Sequence, residues 1–164
     1  MQTNPENFRQ AMAMFPGAVT VVTTGEGDDR RGMTATAVCS VTDDPPSLLV
    51  CINRKAETGA EITRNGRFCV QLLNDQDHAL ALRFAGTAGL RGAEKFEPGR
   101  WKTCSLGMPR LEGARAALSC VVTAKHDVGS HRIFVGEIRD IELSTDGEAL
   151  VYVRSAFRSL MPQG

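Results

Sequence analysis

The apolar positions of this chain fall into short runs, most of them strand-like. The exception is "NPENFRQAMAMFP", where Phe8, Met12 and Phe15 recur at helical spacing up to Pro16-Gly17 and predict an amphipathic opening helix. The β-branched run "AVTVVTT" follows, and the polar turn "GEGDDRRG" joins it to the next segment in a predicted hairpin. From Met33 to Val41 the chain alternates with a period of two. Met33, Ala35, Ala37, Cys39 and Val41 share one face, and Thr34, Thr36, Val38 and Ser40 share the other. This predicts one strand with an apolar face and a largely hydroxylated face. Pro45 and Pro46 end it, because proline cannot donate to a ladder, and "SLLVCIN" resumes as a more fully buried strand.

"ETGAEITRNG" predicts a short helix closing at Asn65-Gly66, residues that tolerate the left-handed cap conformation. "RFCVQLL" reads as a strand, and Asn74 as the N-cap of a helix "DQDHALALRFAG" that stops at Gly86. The glycine-rich stretch from Thr87 to Gly113 is weakly periodic and predicts a long excursion anchored by Phe96 and Trp101. "ALSCVVTAKHDV", "RIFVGEIRDIEL" and "LVYVR", joined by tight turns, predict a three-stranded antiparallel meander. About six or seven strands with a few short helices, in an order without βαβα alternation, predict a mainly β antiparallel barrel with helical insertions. No G-x-G-x-x-G follows a strand, so a nicotinamide nucleotide would bind here without a doubly wound sheet.

Composition narrows the function classes. With 164 residues, 42% hydrophobic and 23% charged, the chain reads as a single domain over residues 1–164. A formal net charge of zero argues against nucleic acid or an anionic membrane as partner and favours small molecules or proteins. The amino terminus lacks the pattern of a leader, and the longest apolar run, Leu48 to Ile52, is far too short to span a bilayer. A cytoplasmic location is expected. The five cysteines are scattered without C-x-x-C, and the three histidines lack ligand spacing, so reduced thiols and no metal site are expected.

Candidate chemistry begins with the strand from Met33 to Thr42. It carries no long charged side chain, whereas exposed strands usually carry Lys, Glu or Arg. Small residues let a flat ligand approach the backbone, and Thr and Ser hydroxyls can bond a heterocycle's edge. Arg54 and Lys55, between a strand end and a helix start, suit a phosphate. By position alone, the strand also reads as solvent-facing, the Arg54-Lys55 pair as a solvated turn, and His131 as a turn histidine. His78 and His126 read as surface or structural residues, and the Asp28–Arg31 turn is given no chemistry.

Several segments in order, "GMTATAVCSVTDDPPSLLVCINR", "NGRFCVQLLNDQ", "LRFAG" and "VGSHRIFVGEI", resemble the flavin reductase-like family with its FMN-binding split barrel. The likeness runs from about Phe8 to Phe157 and points, within that family, to the small reductase components of two-component flavin monooxygenases. What the resemblance implies is a homodimer that reduces FMN or FAD with NADH, sometimes NADPH, and passes the reduced flavin to a monooxygenase. It places flavin contacts at Thr34, Ala35, Thr36, Ser40, Val41 and Thr42, and at Cys51, Ile52 and Asn53. Lys55 and Thr58 would lie near the phosphate, while Phe84, Lys95 and Phe96 would close the pocket. It implies that His131 positions the nicotinamide, although Ser130 stands where the family often has Asp. Phe157 stands where a tyrosine is common, and its ring can still stack. Two rival readings are a non-catalytic flavin- or haem-binding module of the same fold and a pyridoxamine phosphate oxidase. The second would need another phosphate-binding cluster that the sequence does not display.

Overall fold

A computed structural model describes residues 2–97 and 99–160 of the chain. The opening helix α1 (Pro5–Ala13) is capped by Asn4, whose side chain accepts from the Asn7 amide at 2.8 Å. The following strands are β1 (Gly17–Ala18), β2 (Thr20–Thr24), β3 (Arg31–Ala35), β4 (Val38–Asp43) and β5 (Pro46–Asn53). Then come α2 (Glu57–Asn65), β6 (Arg67–Leu72) and α3 (His78–Phe84), the last preceded by a 3-10 turn that Asn74 caps. A 3-10 turn over Gly92–Phe96 and a small hairpin, β7 (Trp101–Thr103) with β8 (Pro109–Leu111), occupy the predicted excursion. The chain ends with β9 (Ala116–Val128), β10 (His131–Leu143), β11 (Leu150–Val153) and β12 (Ala156–Ser159).

Seven strands form one antiparallel sheet in the order β3-β2-β6-β9-β10-β5-β4. Strand β2 lies inside it, and all five of its residues are buried. Val22 points into a core with Val50, Ile62, Phe68 and Phe134, while Val21, one residue back, joins Phe84, Phe96 and Leu150 on the other side. Burial of Thr20, Thr23 and Thr24 is offset because each hydroxyl donates to a carbonyl, those of Ala35, Pro109 and Arg67, at 2.5 to 2.7 Å.

Two expectations are corrected. The alternating segment from Met33 to Val41 is two strands, β3 and β4, which form opposite edges of the seven-stranded sheet. The chain bends at Thr36-Ala37, which shifts the side-chain phase. Val38 then packs on the core while Ala37, Cys39 and Val41 face solvent. Because two residues join the sheet's two edges, the sheet curls back toward itself. The predicted final meander also stops after β9 and β10. Strand β11 instead pairs with β1 and β12 in a separate three-stranded sheet.

Asp77 ties the excursion to this frame. Its carboxylate accepts from the Asn74 amide at 3.2 Å and from Arg100 at 2.6 Å, and it is buried. Asp77→Ala removes a cap and leaves Arg100 unpaired, so a loss of about 1–3 kcal/mol is expected, read as a lower thermal midpoint.

Candidate functional site

Strands β3 and β4 each pair with one neighbour only, so the whole small-residue segment is sheet edge with main-chain groups facing outward. Thr36, Ser40, Val41 and Thr42 are exposed along it. Thr34 is committed elsewhere: its hydroxyl donates to the Ala81 carbonyl at 2.6 Å and clips β3 to α3. The Thr42 hydroxyl serves its own turn, accepting from the Asp44 amide at 3.1 Å. Ala35 and Ile52 are buried with their side chains in the core, which leaves main-chain contact as what they can offer a ligand. Cys51 is half-buried, and burial, with a smaller contribution from nearby Cys39, pushes its thiol up.

A cleft of about 410 Å³ opens between β3, the start of α2 and the loop from Gly86 to Lys95. Lys55, Thr58 and Lys95, all expected from the sequence, line it. The N-cap of helix α2 is Ala56, which has no side chain able to cap the first amides, so those N–H groups suit an external acceptor. Asn53 shapes the approach by accepting from the Lys55 amide at 3.0 Å with its side chain and from the Ala56 amide at 2.9 Å with its carbonyl. The Lys95 ammonium donates to the Gly32 carbonyl at 3.2 Å and the Phe84 carbonyl at 3.5 Å, and burial lowers its pKa from the ordinary lysine value.

The two phenylalanines expected to close the pocket belong to the buried core beside it. Phe84 and Phe96 are each 1% exposed and lie beneath the cleft, packed edge to face at 5.1 Å and both against Trp101. They leave so little room above them that a Cβ at Gly32 would fall 2.6 Å from the Phe84 ring. Phe157 belongs to the small sheet, where its ring lies 4.5 Å from His78 and 5.1 Å from Tyr152.

His131 sits at the tip of the β9–β10 hairpin and pairs across the ladder with Asn53. The tip is fastened to the β5–α2 connection, since the Arg54 amide donates to the Ser130 carbonyl at 2.9 Å. The Ser130 hydroxyl lies 2.9 Å from His131 Nδ1. A hydroxyl that donates to Nδ1 leaves the neutral ring's proton on Nε2. A second cleft, about 510 Å³, lies beside this tip and shares Lys55 with the first.

The fold thus gathers Asn53, Lys55, Thr58, Lys95 and the His131 turn around the end of β5 and leaves Phe157 apart. Sequence reasoning missed Arg31, Glu57 and Arg91 in the main cleft. Arg31 is the first residue of β3 rather than part of an inert turn, and its two-residue offset from Met33 was the available signal. Arg91 carried no local signal.

Comparisons with known proteins show what the whole chain is similar to. A model described as "Flavin reductase like domain" matches residues 12–161. The reductase component of 4-hydroxyphenylacetate 3-monooxygenase from Salmonella dublin is 41% identical over 151 residues, covering 92% of this chain and 89% of that protein. The FMN reductase (NADH) RutF of Stutzerimonas stutzeri is 39% identical, covering 94% and 88% respectively. Among solved structures, BorF, the flavin reductase component of a bacterial two-component tryptophan halogenase, superposes with a TM-score of 0.90 at 33% identity, covering 98% of this chain and 100% of that one. The Streptomyces globisporus NADH:FAD oxidoreductase SgcE6, solved with NAD and FAD fragments, gives a TM-score of 0.88 at 29% identity, covering 99% and 98%. With a family match and full-length relatives over nearly all of its sequence, this chain belongs to the flavin reductase-like domain family.

Proposed function

We infer that the protein is an NAD(P)H-dependent flavin reductase that moves hydride from NADH to FMN or FAD and supplies the reduced flavin to a partner monooxygenase. The observation that carries this reading is the end-to-end likeness to reductase components, 41% identical over 92% of the chain. The site fits a flavin. A sheet edge of small residues offers outward main-chain groups to a flat ring, and the adjoining cleft offers cations and uncapped helix amides to its phosphate. A bound flavin supplies the two-electron acceptor chemistry, which calls for two flat rings held in stacking contact.

The chain's own residues then bind and orient. The backbone of Thr34, Ala35 and Thr36, with Ser40, Val41 and Thr42, holds the ring, Cys51, Ile52 and Asn53 flank it, and Lys55 and Thr58 hold the phosphate. Phe84 and Phe96 support the cleft floor and Lys95 fixes that floor to β3, while Phe157, apart from this cleft, offers a stacking surface only to a ring that reaches the small sheet. His131, oriented by Ser130, positions the nicotinamide. No charge on the edge strand between Met33 and Thr42 clamps the ring, which suits reversible release to the oxygenase.

The same reading treats residues 1–164 as one split-barrel domain, the edges β3 and β4 meeting at Thr36-Ala37, and the protein as a cytoplasmic homodimer. Among the described residues no helix is long and apolar enough to cross a membrane. The amino-terminal segment supports dimerisation: α1 buries none of its residues, and Phe8 within it and Phe15 just beyond it are 62% and 66% exposed, an apolar surface that a second copy would cover.

The test is an anaerobic stopped-flow mix of protein, NADH and FMN or FAD. Bleaching of the oxidised flavin absorbance with stoichiometric loss of NADH is expected. Flavin binding without bleaching would instead identify a binding module of the same fold.

A further inference from the structure

Beneath the β7–β8 hairpin, away from the cleft and the His131 turn, two cysteines meet. Cys69 of β6 and Cys104, the first residue after β7, pack with Met108 and Ala117 in a small core of their own. Alternation along β6 turns Cys69 and Gln71 to this side of the sheet, while Phe68 and Val70 face the main core. The two thiols share a hydrogen bond. Ser119, opposite Cys69 in the ladder, donates its hydroxyl to the Cys69 sulfur at 3.7 Å and also reaches Cys104. The reductase reading uses none of these groups.

The hairpin turn is shaped around the Cys104 sulfur. The Cys104 amide donates to the Met108 carbonyl at 2.9 Å, and the Gly107 amide returns to the Cys104 carbonyl at 2.9 Å, with Gly107 at φ 85°. This aims the Met108 and Leu106 amides at the sulfur. The Cys69 thiol, the Ser119 hydroxyl and those two amides hold the Cys104 thiol well below the ordinary cysteine value, against the opposing effect of burial. The shared proton stays on Cys69, whose hydrogen bond to Cys104 and burial push its thiol well above that value. Cys104 keeps 5% of its surface in solvent and Cys69 keeps none, so an oxidant reaches Cys104 first. Gln71 is fully buried as well. Its amide donates to the Cys69 carbonyl at 2.9 Å and the Thr23 hydroxyl at 3.1 Å, yet its side-chain oxygen has no partner among the described residues. That oxygen is an acceptor for the O–H of a small polar molecule. Cys120, which faces the main core, has no such surroundings, and burial alone pushes it up to about 12.

We propose that Cys69 and Cys104 are a peroxide-oxidised pair, with Cys104 the attacking sulfur and Cys69 the resolving one. The Cys104 thiolate attacks one oxygen of hydrogen peroxide, the O–O bond breaks, and hydroxide leaves as Cys104 becomes a sulfenic acid. The Cys69 sulfur then displaces that hydroxyl, which takes the Cys69 proton and departs as water while the S–S bond forms. The sulfurs lose the two electrons that the peroxide gains. Dihydroflavin that meets dioxygen before an oxygenase takes it up is reoxidised with release of hydrogen peroxide. The pair's reaction needs only the peroxide, whereas this source of it rests on the reductase reading. The new bond ties β6 to the hairpin that carries Trp101, against which Phe84 and Phe96 close.

The experiment takes the full chain, reduced with dithiothreitol and freed of it, and adds hydrogen peroxide without flavin. Thiols are then counted in denaturant, and linked peptides are mapped by mass spectrometry without reductant. Loss of two of the five thiols, a peptide joining Cys69 to Cys104, and full recovery with dithiothreitol are expected. In Cys69→Ala the resolving thiol is gone, so the Cys104 sulfenic acid is expected to collect as a dimedone adduct. Cys69 and Cys104 both remaining thiols while exposed Cys39 is oxidised overturns the proposal, as does either of them joined to a different cysteine. The wild-type map decides this whether or not the variant folds. A second arm supplies NADH, FMN and air, with and without catalase. Closure of the pair during turnover, suppressed by catalase, supports both readings. NADH consumed and peroxide formed with the pair still reduced removes this inference alone. A pair closed by added peroxide, with no NADH consumed in the second arm, removes the reductase reading and leaves the pair standing.

Discussion

Gly32→Ala is expected to lower stability by about 1–3 kcal/mol, or roughly 3–10 °C in thermal midpoint, and to weaken flavin binding as well. The added methyl would sit 2.6 Å from Phe84 Cε1, 2.9 Å from Cδ1 and 3.3 Å from Phe96 Cζ. Neither ring can turn aside, because both are 1% exposed and close against each other and against Trp101. Strand β3 must therefore lift, and with it the Gly32 carbonyl that receives the Lys95 ammonium at 3.2 Å. The cleft wall and the ring-binding edge are the same strand, which couples the two losses. Thermal melting and flavin titration check them. Phe84→Leu in the Gly32→Ala background relieves the contact and should recover part of both, a non-additive result that contact between the two sites requires. Strict additivity would show that the methyl does not meet the ring.

His131→Ala is expected to reduce kcat/KM for NADH by about 10- to 100-fold while leaving flavin affinity within about twofold. The imidazole stands at a hairpin tip fixed to the β5–α2 connection through Arg54 and Ser130, so its loss removes an oriented group without disturbing the core. Ser130→Ala should have a smaller effect, about twofold to fivefold, since the ring stays but loses its partner at Nδ1. Steady-state kinetics with NADH varied at saturating flavin, alongside direct flavin titration, separates the effects. Unchanged turnover and unchanged nicotinamide KM in His131→Ala would remove the histidine from the site.

Local elements were legible in the residues themselves. The spacing of Phe8, Met12 and Phe15 predicts α1, the Gly66 cap appears with φ 73° as the end of α2, and Asn74 opens the turn that leads into α3. Each of these depends on contacts a few residues apart, and the chain carries that information directly. The site was half legible. Lys55 could be placed at the cleft because it follows a strand end and precedes a helix start, a local feature, whereas Thr58 followed only from the resemblance. For Phe84 and Phe96 the residues alone did not report whether the rings line a pocket or pack in the core, because aromatic residues beside a glycine look alike whether their rings lie above or below the backbone.

The residues alone determined the longer strands such as β2, β5, β6, β9 and β10, the mainly β class, and the absence of charge along Met33 to Thr42, because alternation and side-chain size act within one element. Only tertiary structure decided that this segment breaks at Thr36-Ala37 into both edges of one sheet, and that Arg31, Glu57 and Arg91 meet in one cleft. The physical reason is distance along the chain. A period of two reports which side of a strand is buried, but it does not report which strands become neighbours when a sheet curls or which loop comes to face an edge strand across a cleft.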